Sequence, residues 1–205
     1  MAIEPSHFNH VALIGAGLIG SSLARVFRRE QLASHVTVYS RRAETRHRIK
    51  ELDFADSVVD DIRTAVSNAD LVVVSVPVSA SGAVAEAMGP HLMPGTIVTD
   101  TGSVKQAVIE AMAPHLPSQV HFVPGHPIAG LEKSGPEYGF AKLFANRFCI
   151  ITPHKNDKET IEKISKFWNA IGMQIQTMDA EHHDRVLAMT SHIPQLIAYS
   201  IVATA

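Results

Sequence analysis

The sequence predicts an α/β fold: a Rossmann-like, mainly parallel sheet flanked by helices, followed by the start of an all-helical C-terminal domain. Short apolar runs alternate with helical segments as far as residue 178, a pattern typical of parallel strands joined by helices. A glycine cluster, "GAGLIG", stands between the first apolar run and the first helical segment. From Asp179 the pattern is helical alone, so we expect two units, residues 1–178 and residues 179–205.

The first elements alternate regularly along the chain. "HVALIG" is predicted as a strand, "LIGSSLARVFRRE" as an amphipathic helix, "HVTVYS" as a second strand and "AETRHRIKEL" as a polar helix. "ADLVVVSVP" has the continuous apolar character of a strand buried on both faces. This order predicts a sheet with helices packed on both of its sides.

The later apolar runs are predicted to extend the same sheet. They are "GTIVTD", "VHFVPG", "RFCIITP" and "GMQIQTM", with the amphipathic helix "DKETIEKISKFWNAI" between the last two. In the helical tail, Pro194 should kink or divide the helix, because proline lacks the backbone N–H group. The tail ends in an apolar segment without a stop signal, so we expect a chain truncated at Ala205.

Composition limits the classes of function. The chain has 205 residues, 46% of them hydrophobic and 19% charged, with a formal net charge of −2, which is typical of a soluble globular protein and excludes a nucleic-acid partner. No signal peptide and no uninterrupted apolar stretch of about 20 residues is present, so we expect no membrane partner and a cytoplasmic protein. The single cysteine, Cys149, is predicted to be a buried apolar residue.

The glycine cluster predicts a dinucleotide site. Gly15, Gly17 and Gly20 follow a predicted strand and open a helix, where they permit a tight turn, close approach of a pyrophosphate and close packing of helix on strand. A purely structural glycine turn is the alternative. The predicted cofactor-binding residues are Gly15, Gly17, Leu18, Ile19, Gly20, Ser40, Arg41, Arg42, Val76 and Pro77.

The end of the second predicted strand bears on the choice of dinucleotide. NAD-binding proteins usually place a carboxylate there, whereas this chain has Ser40, Arg41 and Arg42. Two guanidinium groups can form paired hydrogen bonds to a 2′-phosphate. NADP is therefore the favoured cofactor and NAD is possible, with two solvated surface arginines as the alternative.

A histidine stands in the glycine-rich stretch "VPGHPIAGLEKSG". Glycine and proline around His126 are poorly suited to enclosing a core side chain, so we predict an exposed imidazole. A histidine that only caps the loop is the alternative. Ser103 follows a strand and precedes a helix, so its ordinary role would be an N-cap.

Five motifs together resemble the prephenate/arogenate dehydrogenases of the tyrosine pathway. They are "VALIGAGLIGSSLA", "DTGSVK", "PGHPIAGLEKSGPEYG", "LFANRFCIITP" and "DAEHHDRVLAMTSHIPQLIA", in the order of that family and over nearly the whole chain. The resemblance implies an oxidoreductase that oxidatively decarboxylates prephenate, arogenate or both with NAD(P). The products would be 4-hydroxyphenylpyruvate and tyrosine.

The same resemblance implies roles for individual residues. His126 matches the catalytic histidine of the family, and Ser103 matches its hydrogen-bonding partner near the substrate hydroxyl. Lys105 is given no catalytic role and is expected to be solvated or to support the sheet. The implied substrate-binding residues are Ser103, His126, Glu132, Ser191, His192 and Gln195.

Two positions depart from the family pattern. Gln195 stands where many members carry a second histidine, and Leu131 stands where relatives often have a small hydroxyl residue. Glutamine forms hydrogen bonds but carries no charge, so the preference for prephenate or arogenate stays open. Glu132 is equally interpreted as half of an exposed charge pair with Lys133.

The histidines of the tail do not predict a metal site. His182, His183 and Asp184 are adjacent, so on a helix they point apart. His183 lies nine residues before His192, about half a turn out of phase, so the two should not converge unless the helix bends.

The resemblance also bears on assembly and on what is missing. Family members continue with further helices that form a homodimer, so we expect a homodimer for a full-length chain. A chain ending at Ala205 should bind the dinucleotide but turn over weakly. The alternative functions are another Rossmann-fold reductase of the 3-hydroxyacid type and a non-catalytic dinucleotide sensor; the former would need a lysine in the tail, and residues 179–205 contain none.

Overall fold

The computed structural model describes residues 7–155 and 158–204. Its main sheet has six parallel strands in the order β3-β2-β1-β4-β5-β6. This is the strand order of the Rossmann fold, so the predicted fold class is confirmed. The strands are β1 (Phe8–Ile14), β2 (Ala33–Tyr39), β3 (Ser57–Val59), β4 (Leu71–Val74), β5 (Ile97–Asp100) and β6 (His121–Phe122).

Helices cover both faces of this sheet, so the core consists of two layers, one on each side of the sheet. Val11 and Leu13 of β1 face one layer, and the alternate residues Ala12 and Ile14 face the other. All four residues of β4 are buried, as its continuous apolar sequence predicts. The helices are α1 (Leu18–Glu30), α2 (Ala43–Leu52), α3 (Ile62–Val66), α4 (Ser81–Met88) and α5 (Lys105–Met112).

Three further strands form a separate sheet in the order β7-β8-β9. They are β7 (Gly125–Pro127), β8 (Phe148–Ile151) and β9 (Gln174–Thr177), with β7 antiparallel to β8. The prediction that all later runs extend the main sheet is therefore wrong beyond residue 123. Val123 still donates to Val98 O at 2.8 Å, but Pro124 has no N–H with which to continue the ladder.

Helix α6 (Lys158–Ala170) connects β8 and β9. Its buried Phe167 and Trp168 join the core layer that contains Cys149 and Ile151 of β8. Cys149 is fully buried, as predicted, and burial raises the pKa of its thiol. The second sheet is thus anchored to the same core as the first.

One long helix ends the described chain. It consists of α7 (Ala180–Leu187), a π turn over Ala188–His192 and α8 (Ile193–Thr204). The predicted irregularity at Pro194 takes the form of this π turn, since a widened turn accommodates a residue that cannot donate to the preceding turn.

This helix does not match the expectation that the chain lacks a segment long and apolar enough to span a membrane. Ala180–Ala203 is long and apolar enough, by length and composition, to cross a membrane. Length and composition do not separate such a helix from a core helix of a soluble protein. Most of its large apolar side chains are exposed: Met189, Ile193, Leu196, Ile197, Tyr199, Ile201 and Val202.

We predict that Gly20→Ala destabilises the fold and that Gly17→Ala does not. A Cβ at Gly20 would lie 2.2 Å from the Gly15 carbonyl oxygen, whereas a Cβ at Gly17 would have nothing within 4 Å. Gly20→Ala should lower the free energy of unfolding by about 2 kcal/mol or more, because backbone atoms must move. Gly17→Ala should change it by less than about 1 kcal/mol. Urea unfolding followed by circular dichroism measures both, and equal losses would contradict the packing role of Gly20.

Candidate active site

A cleft of about 340 Å³ lies at the carboxyl ends of β1, β4 and β5. This is where open parallel sheets bind their ligands, at the point where the strand order reverses. The cleft brings five of the predicted cofactor residues together with Ser103 and His126. Its lining consists of Gly17, Leu18, Ile19, Ser75, Val76, Pro77, Val78, Thr101, Gly102, Ser103, His126, Pro127 and Ala129.

The glycine motif has the geometry that a dinucleotide requires. Gly15 adopts a φ of 99°, and a Cβ there would lie 2.4 Å from the Ser75 carbonyl oxygen. Gly20 packs against Gly15, while Gly17 faces open space. Helix α1 then begins at Leu18 with no acidic residue in its first turn. Its free N–H groups and positive dipole end suit a pyrophosphate.

The residues predicted to contact the ribose lie beside this cleft rather than in its lining. Ser40 follows β2 directly, and the exposed Arg41 and Arg42 lead into α2. Arg46 stabilises this turn by donating to the carbonyl oxygens of Ser40 and Arg41 at 2.9 and 2.8 Å. Arg46 is itself paired with Asp60 at 3.0 Å. Arg41 and Arg42 are both exposed at the end of β2, as the alternative of surface arginines also predicts.

His126 lies on β7 and belongs to a chain of hydrogen-bonded side chains. Its Nδ1 is 2.8 Å from Nε2 of His183, and Nδ1 of His183 is 2.8 Å from Oδ1 of Asp184. The prediction of an exposed imidazole is wrong, because His126 is only 8% exposed. Pairing of β7 with β8 and the second imidazole cover it. The residue nevertheless lines the cleft.

Helix α5 holds the far end of this chain. Oδ1 of Asp184 accepts the Lys105 N–H at 2.7 Å, and Oδ2 accepts the Gln106 N–H at 2.9 Å. These are the first two residues of α5, so Asp184 caps that helix from α7. The interpretation of Ser103 as the N-cap is therefore wrong. Ser103 lies exposed in the preceding turn and lines the cleft.

The surroundings of these groups set their charge states. Burial, followed by the charge of Lys105 and by the charges that His183 and His192 carry when protonated, lowers the pKa of His126 to about 3 against the opposing charge of Asp184. Burial also lowers the pKa of His183. Burial alone would raise the pKa of Asp184, but the two N–H groups of α5 and the His183 ring hold it below its usual value. Near neutral pH, two neutral imidazoles thus lie beside an ionised carboxylate.

Lys105 is fully buried rather than solvated, and it supports the sheet. Its Nζ donates to Asp100 Oδ2 at 2.5 Å and to the Gly125 carbonyl oxygen at 2.6 Å. The Gly125 N–H in turn donates to Asp100 Oδ1 at 3.2 Å. This ion pair therefore holds both backbone polar groups of the residue that precedes His126.

The π turn changes the direction in which the side chains that follow it leave the C-terminal helix. The extra residue in such a turn rotates the following residues by about 100° relative to an α-helix. His192, which ends the turn and is half-buried, comes close enough to His126 for its charge to lower the pKa of that imidazole. The regular helix on which the predicted separation of His183 and His192 depends is thus interrupted by the π turn.

The other predicted substrate residues lie outside the lining of the cleft. Ser191 and Gln195 are exposed on the C-terminal helix, where the Gln195 amide is 3.4 Å from the Tyr199 hydroxyl. Glu132 lies in an exposed loop, and its neighbour Lys133 lies over the Tyr138 ring. Among residues 7–155 and 158–204, no group of three His, Cys, Asp or Glu side chains is arranged to hold a metal ion.

A family model described as prephenate dehydrogenase, nucleotide-binding domain, matches residues 23–177. The chain belongs to the prephenate dehydrogenase family. The resemblance based on the motifs is confirmed, and so are the oxidoreductase class and a nicotinamide dinucleotide as the cofactor class. Neither a 3-hydroxyacid-type reductase nor a dinucleotide sensor is favoured by these matches.

Three similar proteins illustrate the family. A cyclohexadienyl dehydrogenase of Zymomonas mobilis is 46% identical over 196 residues, which cover 95% of this chain and 67% of that protein. A prephenate dehydrogenase of Bacillus subtilis is 31% identical, over 94% of this chain and 52% of its own length. A crystal structure of prephenate dehydrogenase from A. aeolicus with hydroxyphenyl propionate and NAD+ superposes with a TM-score of 0.88 at 31% identity, covering 96% of this chain and 68% of that one. The chain thus spans between 52% and 68% of the length of these relatives.

In this prephenate dehydrogenase family member, Lys105→Met should be strongly destabilising. The substitution leaves the Asp100 carboxylate buried without its counter-charge, which costs about 3–5 kcal/mol of the free energy of unfolding. Adding Asp100→Asn should recover part of the loss, because asparagine remains an acceptor without the charge. Lys142→Met, at an exposed position, is the matched control in urea unfolding. A cost for Lys105→Met no larger than that of the control would contradict the role of the ion pair.

The free energy of unfolding should decrease as the pH is lowered below about 6.5, in part because of His126. Its folded-state pKa lies below the unfolded value of about 6.5, so its contribution is fully present above about pH 6.5. Below that pH the unfolded state binds the extra proton, and the contribution falls by up to about 1.4 kcal/mol per pH unit. His126→Gln should show a correspondingly shallower decline between about pH 7 and pH 5 in urea unfolding. Parallel declines of the two proteins would contradict a neutral, buried His126.

Proposed function

We propose that this chain carries the dinucleotide site and the catalytic histidine of an enzyme that oxidatively decarboxylates prephenate, arogenate or both. The observation that carries the proposal is the position of His126, a neutral imidazole in the same cleft as the glycine motif. The products are 4-hydroxyphenylpyruvate from prephenate and tyrosine from arogenate. The names of the Zymomonas and Bacillus relatives support this substrate class.

His126 is assigned the role of proton acceptor. The hydroxyl-bearing ring carbon of the substrate gives up a hydride, and a neutral imidazole can take the hydroxyl proton as carbonyl character develops. The carboxylate on the opposite ring carbon leaves as carbon dioxide, and its bonding electrons complete the aromatic ring. The phenolic oxygen then takes back a proton, which His126 can return. Ser103, in the same cleft, is assigned a hydrogen bond to the substrate hydroxyl.

The residues of the cleft fit a nicotinamide dinucleotide. Gly17 leaves open space beside the N-terminus of α1, and Leu18, Ile19, Val76 and Pro77 provide apolar lining. When bound, the dinucleotide supplies the hydride acceptor. We assign NADP as the preferred form, because the exposed Arg41 and Arg42 follow β2 with no acid at residue 40; NAD is the alternative, supported by the NAD+ complex of the A. aeolicus relative.

The rest of the proposal concerns the tail. Residues 1–178 form the dinucleotide-binding unit, and residues 179–205 begin a helical unit that carries Ser191, His192 and Gln195 to the substrate. Of these, His192 is supported by its electrostatic effect on His126. Glu132 is assigned to the entrance of the site. The full-length enzyme is proposed to be a cytoplasmic homodimer, and the exposed apolar side chains of α8 are consistent with further protein covering that helix.

One experiment tests the function and the cofactor together. Reduction of NADP and NAD is followed by absorbance with prephenate and arogenate in parallel, for this chain and for a version of the length of its relatives. His126→Ala in the longer version should lower kcat by about 10²–10⁴-fold and leave the dissociation constant of the dinucleotide within about threefold. His182→Ala, at an exposed position on α7, is the control. Unchanged turnover in His126→Ala would refute the proposed function, and a higher kcat/KM with NAD would refute the NADP assignment.

A further inference from the structure

We propose that His183 and Asp184 are positioning residues that fix the tautomer of His126, placing its proton on Nδ1 and its lone pair on Nε2. The inference rests on the proposed function, because it concerns the nitrogen that accepts the substrate proton. It adds two residues to the site that are not part of the cleft lining.

The direction of each hydrogen bond follows from Asp184. An ionised carboxylate can only accept, and Asp184 is kept ionised by the N–H groups of Lys105 and Gln106. Nδ1 of His183, 2.8 Å away, must therefore carry a proton and donate it. Because the ring of His183 is neutral, its Nε2 has no proton and can only accept.

The same logic carries over to His126. Its Nδ1 lies 2.8 Å from the accepting Nε2 of His183, so Nδ1 must hold the single proton of the neutral ring. The remaining nitrogen, Nε2, then carries a lone pair. Since His126 lines the cleft and its Nδ1 is occupied inside the protein, Nε2 is the nitrogen available to a substrate hydroxyl. The opposite tautomer would present an N–H, which cannot accept a proton.

His183 and Asp184 also matter once His126 has taken the hydroxyl proton of the substrate, because of the charges around His126. Lys105 on α5 and the imidazoles of His183 and His192 oppose a positive charge on the His126 ring, as does burial. Asp184 on α7 favours that charge, and Asp100 at the end of β5 is already paired with Lys105. A charged His126 donates from Nδ1 toward His183 and thereby toward the carboxylate. Asp184 thus acts on the reacting nitrogen through one intervening ring.

Asp184→Ala tests the direction of this hydrogen-bonded chain. Oδ1 of Asp184 accepts both the Lys105 N–H and the proton on Nδ1 of His183, and alanine has no acceptor at that position. Without the acceptor, either ring nitrogen of His183 can carry the proton. His126 then has no fixed acceptor at Nδ1, so both of its tautomers become populated and the lone pair on Nε2 is no longer assured.

The first measurement is the tautomer itself, which does not depend on turnover. Two-bond ¹H–¹⁵N spectra of histidine-labelled protein distinguish a protonated from an unprotonated ring nitrogen, and loss of signals in His126→Gln identifies those of His126. We expect a protonated Nδ1 and an unprotonated Nε2 in the wild type and a mixture of both tautomers in Asp184→Ala. An unprotonated Nδ1 in the wild type would overturn the inference.

The second measurement is the effect on kcat and KM in a version of the length of the relatives. Asp184→Ala and His183→Phe should each lower kcat by about 10-fold or more, with KM within about threefold. His183→Gln keeps an acceptor for Nδ1 of His126 and should retain a kcat within about threefold of the wild type. If His183→Phe and Asp184→Ala keep wild-type kcat while His126→Ala loses it, the positioning role is refuted and the proposed function stands. If His126→Ala keeps its turnover, the proposed function itself fails.

A matched variant separates positioning from helix capping. Asp179 caps α7, the helix that carries Asp184, by accepting the His182 N–H at 2.8 Å, so Asp179→Ala removes a helix cap while leaving the histidine side chains in place. We expect Asp179→Ala to lower the melting temperature, as the loss of an N-cap does, while keeping wild-type kcat and the wild-type tautomer of His126. A loss of kcat in Asp179→Ala as large as in Asp184→Ala would show that helix capping alone is responsible and would overturn the inference.

Discussion

The buried ion pair between Lys105 and Asp100 is the contact on which the geometry of the site depends. It joins the last residue of β5 to the first residue of α5 and holds both backbone groups of Gly125. Removing two charges from water costs several kcal/mol per ion, and such a pair is tolerable only when its remaining hydrogen-bonding groups are satisfied. Here Asp100 also accepts the Gly102 N–H at 2.7 Å. The result is a fixed junction between the main sheet, the helix that follows it and the strand that bears the histidine.

A second junction, between α5 and α7, has a dual purpose. The Asp184 carboxylate satisfies the first N–H groups of one helix and orients a histidine of the other. The tail is thus attached to the dinucleotide-binding unit by directional polar contacts at its N-terminal end. Beyond the π turn, by contrast, most of its large apolar side chains are exposed. The position of this helix is fixed by polar contacts where it meets the site, and the apolar surface along the rest of its length is available for packing.

The sequence predicted the elements whose signals are local. The continuous apolar strands and the glycine turn follow from short patterns, whereas the expectation that His126 and Ser103 share one cleft came from the family resemblance. It did not predict that β7, β8 and β9 pair with one another, because an apolar run does not specify its partner. It also missed the chain of side chains behind His126, whose members are separated by 57 and 79 residues. A π turn replaces the regular α-helical geometry between His183 and His192, and periodicity alone does not reveal it. By contrast, an acid closing the buried strand "GTIVTD" five residues before a lysine was a usable sign of the ion pair.

The sequence contains a single tryptophan, and its position has a practical consequence. Trp168 is fully buried, and its indole Nε1 lies 3.5 Å from the point that a side chain on Gly125 would occupy. Its intrinsic fluorescence is therefore emitted from directly behind the strand that carries His126. Quenching or a spectral shift of this emission would monitor movement at the base of the cleft, without any label attached to the protein.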